Sequence, residues 1–193
     1  MTYNSHFLDQ TIKTINKIDS KKIDKIVQIL IKVRKQGRLF IIGVGGSAGN
    51  ASHAVNDFRK LCDIDTLSPI DNVSEITART NDEGWETVFS EWLKVSKANN
   101  KDALMVFSVG GGNILKKVSV NIISAIKIAK KRNLKIISVL GSDKGYAYKN
   151  SDISIANNPE DGKLVTPISE ALQPLIWHLL VSHPMLQTKK TKW

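Results

Sequence analysis

Apolar and polar positions along this chain alternate between strand-like and helical patterns. Short apolar runs indicate four strands, at residues 39–42, 103–107, 135–140 and 152–155. The middle two runs are almost continuously apolar, which is typical of strands covered on both faces. A weaker run at 66–70 contains Pro69, and proline would confine that strand to an edge of the sheet.

Segments with helical spacing of apolar residues separate these runs. They cover residues 48–60, 84–97, 114–132 and 168–182. Two more helices are predicted before the first strand, within residues 12–35, with Asp19-Ser20 as the break between them. Because strands that alternate with helices form parallel sheets, we expect an α/β protein with a doubly wound parallel sheet flanked by helices. Residues 1–193 should form a single domain, in which 1–36 is a helical N-terminal segment.

Composition and charge narrow the class of protein. The chain has 193 residues, 41% of them hydrophobic, which is enough for one buried core. Its net charge of +10 favours an anionic partner, such as a phosphorylated metabolite, a nucleic acid or an anionic membrane. The lysines are scattered as on a solvated surface, and no nucleic-acid-binding motif accompanies them, so nucleic-acid binding is not expected.

The sequence also bears on location. The first ten residues lack the pattern of a secretory signal, and no segment reaches the roughly 18 apolar residues of a membrane span. The lone Cys62 excludes an internal disulfide and suits a reducing compartment. We therefore expect a cytoplasmic protein without membrane contact. Residues 187–193, rich in Thr and Lys, offer little to bury and are predicted to be a mobile tail.

Candidate chemistry follows the first strand, where residues 43–57 read GVGGSAGNASHAVND. Glycines let the backbone approach a ligand closely, and the helix that follows aims its free N–H groups at an anion such as phosphate. His53 and Asp57 are four residues apart, so they share one face of this helix and can serve one ion or one substrate.

Glycine-rich loops follow two more strands, at residues 108–113 and 141–145. Ligands of doubly wound sheets bind outside the carboxyl ends of the strands, which is where these loops lie. Each loop alone is equally well explained as a turn that needs glycine. Two glycine loops that run into helix N-termini favour anion binding.

These residues resemble the SIS domain of phosphosugar isomerases, and more narrowly the bacterial phosphoheptose (sedoheptulose 7-phosphate) isomerases. The resemblance rests on GVGGSAGNASH at residues 43–53, TNDEG at 80–84, SVGGGN at 108–113, and Glu170 with His178. It implies a flavodoxin-like fold and an aldose–ketose isomerisation that feeds heptose into surface polysaccharide such as lipopolysaccharide. It also implies a bound Zn²⁺ and a homotetramer.

The resemblance carries specific roles onto this chain. The metal ligands would be His53, Asp57, Glu170 and His178. Asp57 and His178 would also be the catalytic acid/base pair. The residues that would bind the substrate are Ser47, Ser108 and the backbone of Gly110, Gly111, Gly112 and Asn113 for the phosphate, and Asp82 for sugar hydroxyls.

Departures from the family pattern keep alternatives open. Asp57 replaces a Glu and Glu170 replaces a Gln, while Val109 and Gly110 stand where the phosphate loop has hydroxyl residues. A non-catalytic SIS module that binds a sugar phosphate or a replication-initiator protein is therefore a second hypothesis. An isomerase of another phosphosugar is a third.

Structural explanations also compete for single residues. His53 could be an ordinary surface histidine, Ser47 could cap its helix, and Asp82 could mark a helix start. Glu170 and His178 are eight residues apart, about 12 Å along a straight helix. We expect Pro174 to kink this helix so that both reach the metal. The alternative is that Pro174 marks a late helix start with Glu170 as its cap.

Overall fold

The computed structural model describes residues 2–191 and contains one five-stranded sheet. All neighbouring strands are parallel, in the order β2-β1-β3-β4-β5. The strands are β1 (Leu39–Ile42), β2 (Thr66–Leu67), β3 (Ala103–Ser108), β4 (Lys135–Leu140) and β5 (Ile153–Ala156). This is the flavodoxin-like strand order, so the predicted fold class is confirmed.

Eight α-helices surround this sheet in the described part of the chain. They are α1 (Tyr3–Ile15), α2 (Ser20–Gln36), α3 (Gly46–Cys62), α4 (Val73–Asp82), α5 (Val88–Val95), α6 (Val120–Lys131), α7 (Tyr146–Asn150) and α8 (Val165–Val181). The predicted break between the first two helices is confirmed, because the Asp19 carboxylate accepts the Lys21 N–H at 2.9 Å and caps α2.

Strand positions were predicted more accurately than helix ends. Strands β1 and β4 have the predicted bounds, and β2 is an edge strand followed by a 3-10 turn that starts at Pro69. Helix α6 begins at Val120 rather than 114, because residues 113–118 form a turn closed by a bridge between Asn113 and Val118. Helices α4 and α7 were not predicted.

The core lies on both faces of the sheet. Leu39 and Ile41 of β1 point to one face, where helices α2, α3 and α8 pack. Phe40 and Ile42 point to the other face, which α5 and α6 cover. Because both faces are buried, alternation cannot separate apolar from polar positions in the central strands.

Helix α8 runs without interruption through Pro174, which lies inside it, and its N-cap position is Leu164. The interpretation of Pro174 as a late helix start with Glu170 as its cap is therefore wrong. Contrary to expectation, the stretch Gly162–Val181 is long and apolar enough to cross a membrane by length and composition. Half of its most apolar 18-residue window is buried inside the protein, as in the core helix of a soluble protein, which meets the same test.

The segment after α8 returns to the body of the protein. Leu186 is fully buried, and Arg34 donates to its carbonyl oxygen at 2.9 Å. The backbone N–H of Thr188 donates to the Leu61 carbonyl at 2.8 Å, and that of Lys189 does so at 3.2 Å. The predicted mobile tail is thus anchored over 187–189, and residues 192–193 lie outside the described residues.

Candidate active site

Helices α3 and α8 bring three of the predicted metal ligands together. His178 Nε2 lies 3.3 Å from Asp57 Oδ2, and His53 Nε2 lies 3.6 Å from the same oxygen. One ligand atom from each of the three residues lies within 4.8 Å of the other two. The prediction that His53 and Asp57 share one helix face is confirmed. The role of His53 as a metal ligand rather than an ordinary surface histidine stays a prediction.

The carboxylate and the two imidazoles differ in exposure. Asp57 is buried, whereas the side chains of His53 and His178 are 58% and 54% exposed. Both carboxylate oxygens accept hydrogen bonds: Oδ1 from Asn56 Nδ2 at 3.0 Å and Oδ2 from Trp177 Nε1 at 3.0 Å. The cluster therefore combines a carboxylate held by two hydrogen bonds with two imidazoles that a ligand can reach from solvent.

The donor set of this cluster fits a zinc ion. Two imidazole nitrogens and a carboxylate oxygen are ligands that Zn²⁺ takes in catalytic sites, with a fourth position left open. Tetrahedral ligands about 2.0–2.1 Å from the ion lie roughly 3.3 Å apart. The nitrogen–oxygen distances of 3.3 and 3.6 Å are close to this separation. Small side-chain adjustments would therefore let His53, Asp57 and His178 hold one ion.

Glu170 does not join this cluster, contrary to the prediction that it is the fourth ligand. Its carboxylate lies beside Gly46 at the start of α3, so close that a Cβ added there would stand 2.5 Å from Glu170 Oε2. Within the described residues, the group of ligating side chains consists of His53, Asp57 and His178. The eight-residue spacing along α8 accounts for the separation, because it moves Glu170 more than two helical turns from His178.

The glycine turn after β1 leads directly into α3. Gly45 at the N-cap has φ of +64°, a left-handed conformation that favours glycine. Gly43 is required by close approach, because a Cβ there would stand 2.3 Å from the Ser47 carbonyl oxygen. Since Gly45 occupies the N-cap position and no side chain caps this end, the interpretation of Ser47 as the cap is wrong.

Ser47 belongs to a buried polar chain that links α3 to α8. Its Oγ accepts a hydrogen bond from Gln173 Nε2 at 2.9 Å, and Gln173 Oε1 accepts from Asn50 Nδ2 at 2.8 Å. Asn50 Nδ2 also donates to the Glu170 carbonyl at 2.9 Å. These bonds fix the two helices that carry the candidate ligands. Ser47 keeps its own hydroxyl proton for a further acceptor such as phosphate.

The loop after β3 is closed by hydrogen bonds of its own. The Gly111 N–H donates to Ser108 Oγ at 3.0 Å, and the Asn113 N–H donates to the Val118 carbonyl at 2.9 Å. Two of the four predicted phosphate donors are therefore already engaged within the loop. Gly110 and Gly112 are its remaining backbone N–H donors.

Asp82 is the last residue of α4 and is exposed. Its Oδ1 accepts a hydrogen bond from Asn81 Nδ2 at 2.7 Å. The interpretation of this pair as a helix start is wrong, since α5 begins at Val88. A role for Asp82 toward sugar hydroxyls stays a prediction.

Sequence reasoning missed two residues that shape the site, Gln173 and Trp177. Both face inward on α8, and the sequence pattern predicts only that they lie on the buried side of this helix. Among the polar residues that α8 buries completely, Gln173 has a longer side chain than the other, Ser169. A buried amide needs a hydrogen-bond partner, so Gln173 indicated a polar contact at this place. Trp177 gave a weaker signal, because a tryptophan beside a candidate ligand is explained equally well by core packing.

An open groove of about 540 Å³ adjoins His178. Its walls are mostly apolar and include Leu61 of α3 and Leu175 and Leu179 of α8. Thr191, near the end of the described chain, also lines it. The imidazole of His178 therefore stands between the buried carboxylate of Asp57 and an accessible space.

Comparisons with known proteins bear on this arrangement. A family model of the SIS domain matches residues 3–141. Phosphoheptose isomerase from Helicobacter pylori (strain ATCC 700392 / 26695) is 31% identical over 160 residues, which cover 80% of this chain and 78% of that protein. Lincomycin biosynthesis protein LmbN from Streptomyces lincolnensis is 34% identical over 158 residues, 76% of this chain. The match spans 56% of the length of LmbN.

A solved structure has the same fold. Phosphoheptose isomerase GmhA from Neisseria gonorrhoeae superposes with a TM-score of 0.78 over 92% of this chain and 94% of that chain, at 22% identity. At this identity the superposition is evidence for the fold alone.

Proposed function

Because the chain belongs to the SIS-domain phosphoheptose isomerase family, we propose that it is an aldose–ketose isomerase that converts sedoheptulose 7-phosphate to a heptose 7-phosphate. The observation that carries this proposal is the cluster of His53, Asp57 and His178. Family membership supports a phosphosugar isomerase in general. The seven-carbon substrate is the finer part of the proposal.

The reaction moves a hydrogen between C1 and C2 of the sugar. It needs a base for a carbon-bound proton, a group that moves the hydroxyl proton, and a positive centre near the enediolate oxygens. Asp57 is suited to the first role, because its buried carboxylate is held in place from two sides. His178 is suited to the second through its Nδ1, because the ring is accessible and the Nε2 that faces Asp57 would be left to the zinc. A zinc ion held by His53, Asp57 and His178 would supply the positive centre.

The phosphate would lie at the carboxyl ends of β1 and β3. The N-terminus of α3 would offer its first N–H groups there once the Glu170 carboxylate beside Gly46 turns away, and Ser47 and Ser108 each have a hydroxyl proton to donate. Gly110 and Gly112 would add backbone donors. Asp82 would contact sugar hydroxyls once the substrate is bound.

The biological setting is proposed by the same family relationship. The product would enter the synthesis of surface polysaccharide such as lipopolysaccharide, and the protein would act in the cytoplasm as a homotetramer with one Zn²⁺ per site. Exposed apolar residues on α1, Tyr3, Leu8 and Ile12, support assembly, because burying them would remove them from water.

A second candidate is a SIS module that binds a sugar phosphate, or a replication-initiator protein, without turnover. The observation that favours it is the loop after β3, where two backbone donors are engaged internally. An isomerase for a different phosphosugar is the third candidate. Thermal melting with a panel of sugar phosphates separates these cases, because a bound ligand raises the melting temperature whether or not it reacts.

The test of the first proposal is direct turnover. Purified protein is loaded with Zn²⁺ and incubated with sedoheptulose 7-phosphate, and the aldose product is quantified beside a His178→Ala control. The proposal expects product from the wild type and a rate at least about 100-fold lower in the control. Turnover no greater than that of the control would remove it. A melting shift without turnover would support the binding module instead.

A further inference from the structure

Trp177 lies beneath the candidate metal cluster and makes a single polar contact. Its indole Nε1–H donates to Asp57 Oδ2 at 3.0 Å, the same oxygen that faces His53 and His178. The ring centroid of Trp177 lies 5.3 Å from that of His53 and 5.1 Å from that of His178. The indole therefore contacts all three members of the cluster.

The indole cannot easily turn away from this carboxylate. Trp177 is only 1% exposed, and its ring stacks on Phe107 of β3 with centroids 5.8 Å apart and planes inclined by 23°. Indole nitrogen is a donor only, so it cannot exchange roles as a hydroxyl or amide could. A rigid donor fixed to the central strand of the sheet thus defines where Asp57 Oδ2 stands.

We propose that Trp177 is a positioning residue that holds the Asp57 carboxylate in the orientation needed for zinc binding and proton transfer. This inference rests on the proposed function, since it assumes that Asp57 serves those roles. Asn56 holds Oδ1 from the solvent side, and Trp177 holds Oδ2 from the core side. Without the indole donor, the carboxylate could rotate toward either histidine and would lose its fixed distance to both.

The principal variant is Trp177→Phe, which keeps an aromatic ring for stacking and removes the N–H. Its matched control is Trp92→Phe, the same change at a half-buried tryptophan of α5 that packs on Phe40 on the opposite face of the sheet. Zinc alone is the probe, titrated calorimetrically into metal-free full-length protein. Outer-shell partners of metal ligands typically contribute about 10–100-fold to metal affinity, so we expect a loss of that size in Trp177→Phe and less than about 2-fold in Trp92→Phe.

A double-mutant cycle separates positioning from a merely structural effect. If Trp177 acts through Asp57, then Trp177→Phe added to Asp57→Asn should weaken zinc binding no further. On sedoheptulose 7-phosphate, Trp177→Phe should lower kcat far more than it raises KM, because the phosphate contacts are untouched. Equal zinc affinity and kcat in wild type and Trp177→Phe would overturn the proposal, as would additive losses in the cycle.

Two outcomes distinguish this inference from the function on which it rests. If the wild type isomerises the sugar and Trp177→Phe has the same zinc affinity and kcat, only the role of Trp177 is removed. A wild type that neither binds zinc nor turns over would remove both. If Trp177→Phe fails to fold, indole ¹H–¹⁵N spectra of wild type and Asp57→Asn replace it. One indole resonance should then move upfield on loss of the charged acceptor, and unchanged resonances would contradict the proposal.

Discussion

His178 Nε2 lies 3.3 Å from Asp57 Oδ2, and this contact joins α8 to α3 at the rim of the core. The two residues are 121 positions apart in sequence, so only the packing of these helices brings them together. The buried chain from Ser47 through Gln173 to Asn50 holds the same pair of helices farther along. The geometry of the cluster therefore depends on how precisely α3 and α8 pack.

Glu170 should be dispensable for metal binding. Its carboxylate lies beside Gly46 and outside the cluster, so Glu170→Gln should change zinc affinity by less than about 3-fold, whereas His53→Ala removes a ligand and should cost at least about 10-fold. Calorimetric titration of zinc into each metal-free variant checks this. Equal losses in the two variants would mean that Glu170 is a ligand after all.

The glycine turn after β1 should tolerate no side chain at Gly43. A Cβ there would meet the Ser47 carbonyl oxygen at 2.3 Å, so Gly43→Ala should destabilise the fold by about 1–3 kcal/mol. Gly49→Ala is the control, because nothing lies within 4 Å of its Cβ and alanine favours a helix interior by up to about 1 kcal/mol. The melting temperature should fall in Gly43→Ala and rise in Gly49→Ala, and thermal denaturation measures both. A stable Gly43→Ala variant would show that the turn can shift.

The Cys62 thiol should be unreactive in the folded protein. Burial raises its pKa to about 11, and the negative charge of Asp57 acts in the same direction. Because the raised pKa favours the neutral thiol, its contribution to stability is full below the ordinary thiol pKa and is lost as the pH rises through about 11.

Alkylation by iodoacetamide at pH 8 measures this reactivity. The native protein should react at least about 10-fold more slowly than the same protein unfolded in urea, since only the thiolate is nucleophilic. Equal rates in the two conditions would place the thiol at the surface.

The segment after α8 should contribute to stability. Leu186 is fully buried against the core, so Leu186→Ala should cost about 2–5 kcal/mol of unfolding free energy. Lys190→Ala, at an exposed position four residues on, is the control and should change it by less than about 0.5 kcal/mol. Urea denaturation measures both. A Leu186→Ala variant as stable as the control would show that this segment does not pack in solution.

The exposed face of α1 should carry the proposed assembly. A charge at Ile12 would have to be buried in a subunit interface, so Ile12→Glu should dissociate the tetramer into smaller species, while Gln28→Glu on the exposed side of α2 should leave it intact. Light scattering coupled to size-exclusion chromatography gives the masses. A monomeric wild type would contradict the tetramer itself.

Strands β1, β3 and β4 were predictable because each is a short, mostly apolar run bounded by glycine or polar residues. The start of α6 was not, because the residues before it are closed into a turn by a bridge between Asn113 and Val118, which helical periodicity does not encode. Helix α4 buries none of its residues, so it carries no strong apolar stripe to detect.

Within the site, spacing predicted His53 with Asp57, since both lie on one helix. The family resemblance added His178. Glu170 was misplaced, because spacing along α8 gave its distance from His178 but not the contact of its carboxylate with Gly46. Trp177 and Gln173 act through hydrogen bonds to another helix, which a single sequence does not reveal.

We propose that the buried Asp57 carboxylate, with zinc and His178, moves a proton on a phosphorylated sugar. Isomerisation of sedoheptulose 7-phosphate in D₂O by zinc-loaded wild type and Asp57→Asn, followed by NMR, tests this role. We expect an aldose product that carries solvent deuterium at C2 with the wild type, and a rate at least about 100-fold lower with Asp57→Asn. Equal rates in the two proteins, or no product from either, would contradict it.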